Sequence, residues 1–354
     1  MTPHARPRTP RAAPAHTRWR RGVAMLTSVT LGVALLTGCG VRLEQPAQVE
    51  PTPDASEVVR RAAVDDALAL ADLARRTLAE PSPAAKVVPL LDEVAATAEA
   101  HVTALGGVYV SGLPADPAAP SGSPAPALAD AATPEGVVTA LLATSAAAAA
   151  AADAVESGAT ARLLTSIAAA RAVSADALVK TARLDPTAFA DAPAPGHTVG
   201  VPETRPPGVP GPTLTALVAA EDQAGYGFEV VAATLSAQRR TDALVRAIAH
   251  RGRADAWAAT AGLSDGTDPR EAVYALPPAL AGADADGDAR EKAARAAARQ
   301  MEASLAQAYA TLVAQTDAGE RAAAIDLTVE AALAAAAWGH KRTPFPALAE
   351  QSRS

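Results

Sequence analysis

The chain has 354 residues, a formal net charge of −7 and a hydrophobic share of 49%, yet only 3% of it is aromatic. An acidic balance excludes nucleic acid as the expected partner, because phosphates demand a basic surface, and it offers an anionic membrane nothing to attract. Much of the apolar share is alanine, which forms helices best but buries little area, so composition points to closely packed helices and an all-α fold.

The first 21 residues carry six arginines (Arg6, Arg8, Arg11, Arg18, Arg20, Arg21) and no acid, and Gly22 to Leu36 follow without a charge. A basic start before a short apolar run reads as an export signal, since the run falls short of the roughly 20 residues that span a bilayer. Leu36-Thr37-Gly38-Cys39 then resembles the lipobox of bacterial lipoproteins and contains the only cysteine of the sequence. The resemblance implies a signal peptide of residues 1–38, cleavage before Cys39, and acyl chains such as palmitate on its sulfur and new N-terminus. The exported protein would then be held at the outer face of the cell membrane by lipid. A thiol suits this chemistry because its thiolate is a good nucleophile near neutral pH. Losing residues 1–38 removes those six positive charges and takes the net from −7 to −13, which leaves the lipid to do the holding.

Residues 39–53 are rich in proline and read as an extended tether. Residues 54–184 then hold four helical patterns. Asp54 with Glu57 is a start signal, followed by Val64, Leu68, Ala71 and Leu78 at helical spacing. A second pattern runs from about Lys86 or Leu90 to Leu105 and stops at Gly106-Gly107. Thr133-Pro134 opens a third, and Ser157-Gly158 separates it from a fourth. Apart from the short Val108-Tyr109-Val110, nothing suggests a strand. Residues 185–212, with proline and glycine throughout, read as a linker and domain boundary.

Residues 213–348 repeat the plan, and 349–354 form a tail. The expected helices run from about Thr213 to Ala237, Asp242 to Ala261, Ala289 to Thr316, and from Asp317 to about Gly339. In the third, Ala298, Met301, Leu305, Ala308 and Leu312 alternate steps of three and four, as in a helical bundle. The order of two helices, a proline-containing crossover and two more helices matches the first block and suggests a duplication. Its pieces AAEDQAGYGFEVVAATL (219–235), AHRGRADAWAA (249–259), AVYALPPAL (272–280) and AYATLVAQT (308–316) resemble a ferritin-like domain family of unknown function found in lipoproteins of high-GC bacteria. The resemblance implies a four-helix bundle with a long crossover and brings no established activity.

Ferritin-like di-metal centres take one Glu from each of two helices and Glu-x-x-His from each of the other two. Here Glu221 lies on the inward stripe of its helix, His250 has Ala247 where that motif needs Glu, Glu302 borders an apolar seam, and Glu330 has Leu333 in place of the second histidine. Glu221, His250, Glu302 and Glu330 are therefore the candidate metal ligands, for iron or manganese. The competing reading pairs Glu221 with Arg251, Arg246 or His250 across a helix interface and expects no cofactor. The acidic loop GADADGDAR (282–290) departs from a calcium loop in carrying Arg295 where a bidentate Glu belongs. The glycines of GYGF (225–228) fall mid-helix and read as sites of close helix approach. No zinc-protease motif is present. The resulting expectation is a lipid-anchored envelope protein, more a binder of a protein or small-molecule partner than an enzyme. The alternative is a metal-binding oxidoreductase.

Overall fold

The computed structural model describes residues 50–351 apart from 82–83, 114–130, 192–198, 265, 277–279 and 281–286. The export segment, Cys39, His197 and most of the acidic loop lie outside the described residues. Within them are eight α-helices and no strand. Val108-Tyr109-Val110 is irregular and exposed.

The first block follows its local signals closely. Asp54 caps α1 (Ala55–Ala79), its carboxylate accepting from the Glu57 amide at 2.8 Å. After α2 (Val88–Ala104), Gly106 and Gly107 take φ values of 87° and 79°, where only glycine is at ease. The Thr133 hydroxyl accepts from the Gly136 amide at the start of α3 (Pro134–Ala154), and Ser157 caps α4 (Gly158–Ala182) in the same way. The second block comprises α5 (Gly211–Thr234), α6 (Ala237–Ala261), α7 (Gly287–Gln315) and α8 (Ala322–Ala337). Helix α6 starts five residues before the expected Asp242, because the chain turns over only at extended Leu235 and Ser236. Helix α8 starts after the expected Asp317, because Gly319, at φ 82°, holds the preceding residues in a turn.

Each block is built of two helix pairs, α1 with α2 and α3 with α4, then α5 with α6 and α7 with α8. The expected boundary at 185–212 does not part them: residues 50–354 form one compact unit, and one core runs from Ala63 to Leu348. Helix α4 is the shared wall, packing on α2 and α3 on one side and on α7 and α8 on the other. Every residue from Leu164 to Ala175 is consequently buried, so the helix is covered all round. Small side chains permit this. A Cβ at Gly158 would lie 2.1 Å from the Ala314 carbonyl oxygen of α7. Three further devices join the blocks. Buried Arg321, just before α8, donates to the carbonyls of Ala152 and Val155 at the end of α3. The C-terminal segment reaches back, with Arg342 clasping Glu93 at 2.8 and 2.7 Å and His101 donating to the Pro344 carbonyl at 2.8 Å. Residues 199–210 lie along the second bundle, where the Asp317 amide donates to the Pro207 carbonyl at 3.1 Å.

Candidate functional site

All four helices of the second block send charged side chains into its interior. Helix α5 supplies Glu221, α7 supplies Glu302 and Tyr309, and α8 supplies Glu330. Helix α6 supplies Arg246, His250 and Arg253, spaced by four and three residues and so aligned on one face. Glu221, His250 and Glu302 are completely buried, and Arg246, Arg253 and Glu330 are nearly so. The four residues singled out from the sequence therefore do meet.

Arg246 is at the middle. Its Nε and Nη2 donate to Glu302 Oε1 and Oε2 at 2.6 and 2.9 Å, and its Nη1 donates to Glu330 Oε1 at 2.5 Å. Arg253 donates to the other oxygen of Glu330, which also accepts from the Val199 amide at 3.0 Å. His250 bridges the remaining acids, with Nδ1 at 2.6 Å from Glu221 Oε2 and Nε2 at 3.3 Å from Glu302 Oε1. Carboxylates only accept, so both ring nitrogens carry protons and the ring is an imidazolium. The Tyr309 hydroxyl donates to Glu221 Oε1. Three carboxylates thus face two guanidiniums and one imidazolium, and the formal charges cancel.

Burial alone would push the His250 pKa down, but the carboxylates of Glu302 and Glu221 outweigh it and hold the value above 6.5. Burial would push Glu302 up, yet Arg246 and then His250 bring its carboxyl down to about 2. Burial and the neighbouring Glu221 raise the Tyr309 hydroxyl well above its ordinary range, which keeps it a neutral donor. Phe228 stacks on the His250 ring at 5.3 Å and an interplanar angle of 21°, closing one side of the cluster with hydrocarbon.

These residues do not fit a di-metal centre. An ion between Glu302 and Glu330 would need the oxygen lone pairs that Arg246 already engages, and it would sit beside fixed positive charge. Ala247 and Leu333, which stand where ligands are missing, are buried and apolar. Among the described residues, no group of three or more His, Cys, Asp or Glu is arranged to hold a metal ion. Glu221 takes His250 and Tyr309 as partners; Arg251, weighed as another, turns to Asp222 and Glu229. Sequence reasoning missed Arg253 and Tyr309. The signals were available: Arg253 is three residues beyond His250 on the same helix face, and Tyr309 is two turns beyond Glu302. The α7 seam runs through Ala298, Glu302, Leu305, Tyr309 and Leu312, all buried, and leaves Met301 and Ala308 at its edge.

No curated protein and no solved structure matches the chain. Residues 213–350, less than half of the sequence, match the family model described as Domain of unknown function (DUF4439). The cluster is built almost wholly inside that stretch, and the second block is a DUF4439 domain, a family compatible with a ferritin-like fold.

Proposed function

We propose that this protein is a lipid-anchored, non-catalytic protein of the cell envelope whose ferritin-like second bundle binds a small, uncharged aromatic molecule. The observation that carries the binding role is a cavity of about 260 Å³ between α5, α7 and the segment joining α6 to α7. Tyr226 and Tyr274, with ring centroids 5.8 Å apart, form one wall. Met301 also lines it, admitted by Gly227, where a Cβ would come too close to its sulfur. Tyr274 is held in place because its hydroxyl donates to Asp222 at 2.8 Å and accepts from the Glu271 amide at 3.1 Å. Among the described residues, the lining contains no Asp, Glu, Lys, Arg or His. A charged ligand entering it would shed water without gaining a counter-charge, whereas ring faces and a thioether favour a planar apolar one. The exposed amides of Gln223 and Gln300 supply the polar groups that orient a ligand.

The anchoring rests on the Leu36-Thr37-Gly38-Cys39 resemblance and the basic and apolar segments before it. The absence of catalysis rests on a central acid cluster that is already neutralised. The meeting of Glu221, His250, Glu302 and Glu330 favours a second reading, a metal-dependent oxidoreductase, and Arg246 weighs against it. Titrating the mature chain, carrying Cys39→Ser, with the uncharged dye N-phenyl-1-naphthylamine should give saturable one-site binding. Filling the cavity with Ala275→Trp should weaken it by at least about tenfold without lowering the melting temperature. Unsaturable binding, or equal binding by the variant, would refute the ligand site. In cells, Cys39→Ser should leave the membrane fraction; a variant that stays there would end the anchoring proposal.

A further inference from the structure

We infer that the first block contains a buried binding site for a single halide ion, chloride, between Arg171 of α4 and His101 of α2. Both side chains are 1% exposed, and both line a cavity of about 10 Å³ with apolar walls from Leu70, Val94 and Leu141. Arg171 Nη1 donates to the Thr144 carbonyl at 2.9 Å and lies 3.9 Å from Asp66 of α1. Among the described residues, nothing accepts from its Nε or Nη2, and nothing partners His101 Nδ1. The other ring nitrogen is engaged, since Nε2 donates to the Pro344 carbonyl. One edge of a buried guanidinium, with its donors in a fixed fork, is therefore left without an acceptor beside the cavity.

A buried cation that is incompletely paired is costly, and charge-assisted bonds to an anion offset that cost. Asp66 offsets only part of it, being partly exposed and beside the other edge of the guanidinium. The cavity admits one sphere of about the size of a water or a halide, which shuts out phosphate, sulfate and carboxylates. A water would accept the same hydrogen bonds but leave the charge unopposed, and that separates the two occupants. The Thr97 hydroxyl, one turn before His101 on α2, lines the cavity as a further donor. Burial and then Arg171 hold the His101 pKa at about 3, so Nδ1 carries a lone pair at neutral pH. The charged groups around the ring are Arg171 and, beyond it, Asp66. Helix α3 presents Leu141 and the Thr144 carbonyl, and the C-terminal segment presents Phe345 and the Pro344 carbonyl. A halide beside the guanidinium offsets the field that lowers His101, and it accepts from a protonated Nδ1. Halide and proton therefore bind together, and affinity rises as pH falls.

The test uses the full chain as wild type, Arg171→Met and His101→Gln. Melting temperature is followed as chloride or bromide replaces gluconate at constant ionic strength. Wild type should melt higher in either halide, saturably, and its apparent dissociation constant should be at least about tenfold lower at pH 5 than at pH 8. Arg171→Met, which keeps the length of the side chain without its charge, should melt alike in halide and gluconate. His101→Gln should keep the halide response and lose most of its pH dependence. Should Arg171→Met fail to fold, anomalous diffraction from wild-type crystals grown in bromide decides. A bromide in contact with Arg171 Nε or Nη2 is the expected result, and a water in that place overturns the inference. Equal melting of wild type in halide and gluconate, an undiminished halide response in Arg171→Met, or an affinity indifferent to pH overturns it as well. The dye-binding cavity lies in the second block, so failure of either idea leaves the other standing.

Discussion

At the scale of single residues, the cluster ties stability to pH from two directions. Glu302 has a folded value near 2 against an ordinary 4.5, so its contribution is complete above 4.5 and is lost as pH falls toward 2. His250 is raised from 6.5, so its contribution is complete below 6.5 and is lost as pH rises through the folded value. The cluster therefore stabilises most between about pH 4.5 and 6.5. Thermal melts across pH should show the alkaline decline in wild type and a much flatter one in His250→Gln. A decline of equal slope in both would remove His250 from the account. Tyr309→Phe leaves the ring in place but takes a donor from buried Glu221, and chemical denaturation should register a loss of about 1–3 kcal/mol. The acids and His250 were legible in the sequence, because charged residues on apolar helix faces stand out. The pairing of Glu221 with His250 was among those weighed, whereas that of Arg246 with Glu302 and Glu330 was not legible, because it depends on how three helices face one another in space. Arg251 is one residue from His250 and yet points to a different helix face, where Asp222 and Glu229 receive it.

Among the elements, helix starts were read best. Asp54 and Thr133 each cap the helix that they are expected to open, and Ser157, read from the sequence only as part of a break, caps α4 as well, since the signal and the structure lie within one turn of each other. The exceptions are α6 and α8, whose starts are set by a tight reversal and by a tertiary anchor. That anchor, Arg321, collects carbonyls at the end of α3, where a cation also meets the negative end of the helix dipole. Arg321→Ala would leave buried carbonyls without a donor, and unfolding should show a loss of about 1–3 kcal/mol. At Gly158, the first residue of α4, the backbone comes close to that of α7 at Ala314. A methyl group there meets backbone and not a mobile side chain, so Gly158→Ala should cost about 1–3 kcal/mol by overpacking despite alanine's better helix propensity. A variant as stable as wild type would show that α4 and α7 are further apart than described.

For the described residues as a whole, the two blocks share a core, a central helix and a C-terminal strap, and residues 199–210 lie along the second. Proline and glycine mark where helices stop; whether the helices on either side pack together is decided by faces such as that of α4, which composition alone does not reveal. Calorimetry should therefore show one cooperative transition, and a fragment of residues 50–184 should melt without cooperativity, whereas two separate transitions would restore two independent modules. At the centre of the second bundle, all of this positions a cluster whose acids are balanced by Arg246, Arg253 and His250. Elemental analysis of the wild-type protein, saturated with iron(II), manganese(II) or zinc(II) and then desalted, tests that balance most directly. Internal neutralisation predicts less than about 0.1 ion per chain, and one or two tightly held ions per chain would contradict it.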